Sequence, residues 1–82
     1  MQITVEISFY PLTDSYKKPV TEFINEIAEN KEIIIEPGTM STLIIGEYDD
    51  VMKLIEQKLK NFMEKYPAVF SLKLSNSCKN CL

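Results

Sequence analysis

Histidine, arginine and tryptophan are absent from this 82-residue chain. Without histidine, no Ser/His/Asp or Cys/His nucleophilic arrangement can form within one chain, nor can an HExxH or Cys2His2 metal site. Without arginine, the bidentate grip on phosphate or carboxylate is lost. All nine basic residues are lysines, set against twelve acids for a formal charge of −3. A nucleic-acid backbone would meet net repulsion, and no basic stripe offsets it, so no nucleic-acid partner is expected. Long apolar runs are missing too. No stretch approaches the roughly 20 apolar residues that cross a bilayer. The opening MQITVEISFYPL is too short and too alternating for a signal-peptide core. The expectation is a cytoplasmic protein with no membrane partner.

What is present describes one globular unit. The chain is 45% hydrophobic and 26% charged, a balance that supports a packed core. A chain of this length buries only about 60 to 65% of its unfolded surface, so self-association would add stability. A homodimer or homotetramer is expected.

Gln2 to Tyr10 alternates strictly, with Ile3, Val5, Ile7 and Phe9 on one side and Thr4, Glu6, Ser8 and Tyr10 on the other, the pattern of a half-buried strand that Pro11 ends. Asp14 or Ser15 can cap a following helix whose first turn tolerates Pro19. Tyr16, Val20, Phe23, Ile24, Ile27 and Ala28 share one face of it, which ends near Asn30. A second strand reads from Glu32 to Glu36, and Pro37-Gly38 turns into a third from Thr39 to Ile45. Asp49 is a plausible cap for a second helix with Val51, Met52, Ile55, Leu59, Phe62, Met63 and Tyr66 along its stripe, closed by Pro67. A fourth strand covers Ala68 to Ser75. The order βαββαβ predicts an α+β, ferredoxin-like domain over residues 1–75, with two helices on one face of a four-stranded antiparallel sheet. Residues 76–82 form a C-terminal tail.

Two helices cover one sheet face, which leaves the other to explain. An antiparallel sheet can leave that face wet. Here, however, Ile34 lies opposite Ile33 and Ile35, and MSTLIIG places apolar residues on both sides of the third strand. A second copy, or a ligand held between copies, would bury the apolar part. Glu6, Ser8, Tyr10, Ser41 and Thr42 would then be convergent polar groups in an apolar cavity, the usual make-up of a small-molecule site. With Glu6 and the Tyr10 ring present, a neutral or cationic ligand is favoured over an anion.

The segments VEISFYPL, MSTLIIGEYDDVM and FSLKLSNSC resemble the YkoF-like family, which binds thiamin and its hydroxymethylpyrimidine precursor, and the resemblance spans nearly the whole chain. Members are similar to ferredoxin-like domains, arranged as two repeats in one chain or as single domains that assemble. A related single-domain group of thiamin-binding proteins has the same plan and forms dimers or tetramers. The resemblance implies non-enzymatic binding of thiamin or the pyrimidine moiety as small-molecule ligand. Carried over by motif, it places the candidate binding residues at Glu6, Ser8, Tyr10, Met40, Ser41 and Thr42. This chain holds a single repeat, so a site shared between repeats would have to be rebuilt by homo-oligomerisation.

Other features read more plainly. Cys78 and Cys81 form a CxxC, but a zinc site wants four ligands, so metal would need two tails meeting across an oligomer. A redox site would want the motif at a helix N-terminus, and no helix follows. No catalytic residue, metal or cofactor is assigned. Asp49 and Asp50 suit a helix start, and Met40, Met52 and Met63 suit core gaps. Lys53, Lys58, Lys60 and Lys65 would lie on a solvated helix face. The alternative reading is an ACT-like regulatory or structural interaction module that binds an amino acid or other metabolite. A small enzyme on the same fold is the least supported, because Glu6 is the only acid expected to face the cavity.

Overall fold

The structure is a computed structural model that describes residues 1–29 and 32–77. Its elements run β1 (Gln2–Pro11), α1 (Lys17–Ile27), β2 (Ile34–Pro37), β3 (Thr42–Glu47), α2 (Tyr48–Lys65) and β4 (Ala68–Ser75). The four strands form one antiparallel sheet in the order β2-β3-β1-β4. This is the ferredoxin-like α+β arrangement. Cys78 and Cys81 lie outside the described residues. No helix among those described is long and apolar enough to cross a membrane.

The alternation in β1 does what its period demands. Ile3, Val5 and Ile7 are buried beneath the helices with Phe23 and Ile27 of α1, Ile44 of β3, and Val51, Leu54, Ile55 and Phe62 of α2. Burying each such side chain fully stabilises by about 1.5 to 3 kcal/mol relative to exposure. Four phenylalanines tie the layers at one end. Phe9 stacks on Phe70 with centroids 4.7 Å apart, Phe23 lies 5.2 Å from Phe9, and Phe62 meets Phe23 edge-on at 5.3 Å. Offset and edge-on pairs of this kind add about 0.5 to 1.5 kcal/mol beyond area burial.

Several local expectations are corrected. The N-cap of α1 is Tyr16, which makes no side-chain capping bond. Ser15 is occupied otherwise, its backbone N–H donating to Thr13 Oγ1 at 3.1 Å. The cap of α2 is the extended Glu47, so Asp49 and Asp50 fall inside the first turn, where the helix dipole favours them. Of the stripes read from sequence, Tyr16, Ala28 and Met63 are exposed, whereas Leu54 is buried. Met40 also stands in solvent rather than in the core. Lys58 faces its neighbour rather than solvent, pairing with Glu26 of α1 at 3.5 Å, while Lys65 stays exposed as expected and pairs with Glu22 of α1 at 3.2 Å.

Strand β2 starts later than its composition suggests because Glu32 and Ile33 still belong to the preceding turn, and β3 starts later because residues 38–41 make the hairpin loop. The Gly38 N–H donates to the Ser41 carbonyl at 2.8 Å. Glycine is required at this turn: a Cβ on residue 38 would stand 2.8 Å from that same oxygen.

Candidate functional site

The site arises from a mismatch in strand length. The ladder between β1 and β3 stops at the pair Ile7 and Thr42, whereas that between β1 and β4 continues to Pro11 and Ala68. Past Ile7, β1 therefore has no ladder partner on its β3 side, and main-chain polar groups along Ser8 to Pro11 are left open there. The loop 38–41 flanks this open edge, held by Ser8 Oγ donating to the Met40 carbonyl at 3.4 Å. The first turns of α1 close the third side. Together they enclose a cleft of about 510 Å³, within the roughly 300 to 1,000 Å³ of small-molecule pockets.

Its floor is apolar, with Ile7, Phe9, Val20, Phe23 and Ile24, and its walls carry rings and hydroxyls. Thr42 is the deepest polar group, with 6% of its surface exposed. Pairing with Ile7 places its side chain on the helix-facing side of the sheet. Its hydroxyl has no hydrogen-bond partner among the described residues. Since no described side-chain oxygen or nitrogen is both sealed from solvent and unpartnered, the Thr42 hydroxyl must open onto the cleft. It offers one donor and one acceptor to whatever enters. Lys17 is the one charged side chain in the lining, which holds no carboxylate.

The six residues singled out from sequence divide. Ser8, Tyr10, Met40, Ser41 and Thr42 line the cleft. Glu6 does not, although it touches the rim: Ser41 Oγ donates to Glu6 Oε2 at 3.2 Å, and Lys73 Nζ lies 3.9 Å from Glu6 Oε1 in a loose surface pair. The cleft is also not where the sequence reading put it. That reading set Thr42 with Glu6 on the uncovered face, but β3 pairs Leu43 with Glu6 and turns Thr42, Ile44 and Gly46 toward the helices. The phase was ambiguous because MSTLIIG is apolar on both sides. The preference for a neutral or cationic ligand over an anion rested on Glu6 and the Tyr10 ring, and of these two only Tyr10 lines the cleft.

Sequence reasoning did not assign Tyr16, Lys17 or Thr21 to the site. Tyr16 had been placed on the core stripe of α1, and nothing in the local sequence says that the first turn of that helix faces the end of β3. The face away from the helices carries its own apolar groups. Ile34, 56% exposed, stands near one end of it beside the half-buried Leu43, and Tyr10 and Val69, each 52% exposed, pair at the other end. Among the described residues, no group of three or more acids or cysteines is placed to hold a metal ion.

Residues 5–75 match the family described as thiamine-binding protein. No curated protein sequence matches the chain. Among solved structures it is similar to a Thermotoga maritima protein assigned provisionally to thiamine biosynthesis or salvage. That pair shares 18% identity at a TM-score of 0.81, over 94% of this chain and 85% of the other. A Streptococcus pneumoniae protein is similar at 14% identity and a TM-score of 0.82, over 100% and 93%. A hypothetical Methanocaldococcus jannascii protein is similar at 22% and 0.79, over 96% and 84%. At such identities the likeness shows the shared fold.

Proposed function

The chain belongs to the thiamine-binding protein family, and from that premise we propose that it binds thiamin or the hydroxymethylpyrimidine moiety in the cleft between α1, β1 and the 38–41 loop, without covalent chemistry. The observation that carries this reading is the unpartnered Thr42 hydroxyl at the inner end of an otherwise apolar cleft. An aminopyrimidine presents an amine donor beside ring-nitrogen acceptors. Thr42 can answer either kind, and the open main-chain edge of Ser8 to Pro11 supplies further donors and acceptors next to it. Phe9, Phe23 and the apolar side chains beside them give a flat heterocycle a surface to pack on.

Binding rather than catalysis is favoured by the same lining. It holds no carboxylate, and the chain has no histidine, so the side chains that most often serve as general base are missing from it. The apolar groups of the uncovered sheet face support assembly of two or more copies across it. That surface meets the cleft at Ser8 and Tyr10.

A calorimetric titration with thiamin, hydroxymethylpyrimidine and a panel of amino acids tests the reading. Binding of either pyrimidine compound at sub-millimolar concentration supports it. Binding of an amino acid alone would replace it with the regulatory-module alternative, and no binding of any pyrimidine would end it. Sedimentation at micromolar concentration tests assembly, which a stable monomer would refute.

A further inference from the structure

Resting on that reading of the cleft, we infer that its physiological ligand carries a phosphomonoester, held by the first turn of α1 and Lys17. Charge is the first ground. The cleft lining contains one ammonium and no carboxylate, an unusual balance in a chain with twelve acids and nine lysines. Neither Lys17 nor Lys18 forms an ion pair among the described residues. Asp14 is the acid closest in sequence and shares a neighbouring hollow with both lysines, which leaves that corner with two positive charges against one negative.

The helix start is the second ground. Eleven residues long, α1 begins with Lys17, has no acid in its first turn, and receives no side-chain cap although Asp14 and Ser15 stand directly before it. The first N–H that finds an intrahelical acceptor is that of Val20, which donates to the Tyr16 carbonyl at 3.2 Å. Pro19 has no N–H, so the backbone donors of Lys17 and Lys18 remain for an outside acceptor. Helix N-termini with free donors and a favourable dipole are anion sites.

A helix start alone would not define a ligand, but the same cleft contains Thr42, a residue over nine-tenths buried whose hydroxyl has no partner among the described residues. One cavity thus presents a neutral hydrogen-bonding group at its inner end and an unneutralised cationic corner at its mouth. A neutral aminopyrimidine bearing a phosphoryl group matches both ends. At neutral pH the phosphate carries about −1.5 to −2 charges, which neither the free alcohol nor cationic thiamin can offer to Lys17.

Calorimetry on the full chain at low ionic strength tests this, with two pairs of probes: hydroxymethylpyrimidine against its monophosphate, and thiamin against thiamin monophosphate. At least one ester should bind about tenfold or more tightly than its own parent, and the advantage should shrink as salt is raised. In the Lys17→Gln variant, the ester-to-parent ratio should fall toward unity, with thermal unfolding confirming that this exposed position leaves the fold intact. Equal or weaker binding of both esters overturns the inference while leaving the pyrimidine reading in place, as does an undiminished ratio in Lys17→Gln. Failure of all four compounds to bind ends both.

Discussion

Replacing Thr42 with valine separates the two roles a buried hydroxyl can have. The side chain is 6% exposed and has no partner among the described residues, so it contributes no internal hydrogen bond for the mutation to remove. Burying an unsatisfied hydroxyl costs roughly 1 to 3 kcal/mol in proteins. Contact with water in the cleft lowers that cost here, so Thr42→Val should leave stability unchanged or raise it by up to about 1 kcal/mol. Valine also suits a strand. Ligand binding should move the other way. A neutral hydrogen bond is worth about 0.5 to 1.5 kcal/mol net, so pyrimidine affinity should fall by about 2- to 12-fold. Urea unfolding gives the first quantity and calorimetric titration the second. A loss of more than about 1 kcal/mol in stability would mean that the hydroxyl is bonded within the protein, and the cleft argument would fail with it. Unchanged affinity would remove Thr42 from the site.

Phe62→Ala should cost about 3 to 5 kcal/mol, because the ring is fully buried and meets Phe9, Phe23 and Tyr66. A chain of this length has roughly 4 to 12 kcal/mol in total, so that loss is a large share of its stability and should lower the urea midpoint strongly, and a loss under about 1 kcal/mol would contradict the packing described. Gly38→Ala should shift the 38–41 loop, since the new Cβ would meet a backbone oxygen at 2.8 Å; weaker pyrimidine binding than in the parent is expected, and unaltered affinity would show that the loop does not shape the site. Glu22 raises the Lys65 pKa above its ordinary 10.5 by hydrogen bond and charge. A raised lysine stabilises fully below the unfolded pKa and loses that contribution as pH climbs through the folded one. The difference in urea midpoint between wild type and Lys65→Met should therefore be constant from about pH 7 to about pH 10 and narrow above it. A difference that narrows on acidification to pH 7 would refute the pairing. Ile34→Lys, on the uncovered face, should drive any oligomer toward monomer in sedimentation, and an unchanged sedimentation coefficient would place assembly elsewhere.

The fold was readable wherever one period dominated. Ile3, Val5 and Ile7 alternate with polar neighbours, and the sheet buries those three. Val51, Ile55 and Phe62 repeat at helical steps and are buried likewise. Legibility failed where apolar residues were consecutive. The runs around Ile33–Ile35 and Leu43–Ile45 fit a strand in either phase, and only pairing with β1 decides that Ile44 faces inward and Leu43 outward. Caps were misplaced for a related reason: Asp14, Ser15 and Asp49 are good capping types, but each helix begins where packing sets it rather than at the best local cap. For the site, the hydroxyl-rich segments at residues 8–10 and 40–42 were visible as motifs. The contribution of α1 was not, because it depends on how that helix is laid over the sheet.

The sequence reading joined ligand and assembly on one surface, since a single repeat seemed to need a second copy to enclose anything. The structure removes that necessity. Because β3 is shorter than β1, the sheet opens at one corner, and the loop 38–41 and α1 of the same chain enclose the resulting gap. Thr42 faces this gap while Leu43, its neighbour, faces the opposite side between Glu36 of β2 and Glu6 of β1. Adjacent residues of one strand thus serve different surfaces by simple alternation. A binding site built this way can be complete in each copy, so that association would add stability to a small domain without being required to form the chamber. Ser8, Tyr10 and Ser41 join the two sides: Ser8 and Tyr10 alternate onto the uncovered face of β1 yet line the cleft, and the Ser41 hydroxyl donates to Glu6 on that face. Any influence of assembly on ligand affinity would pass through this shared rim.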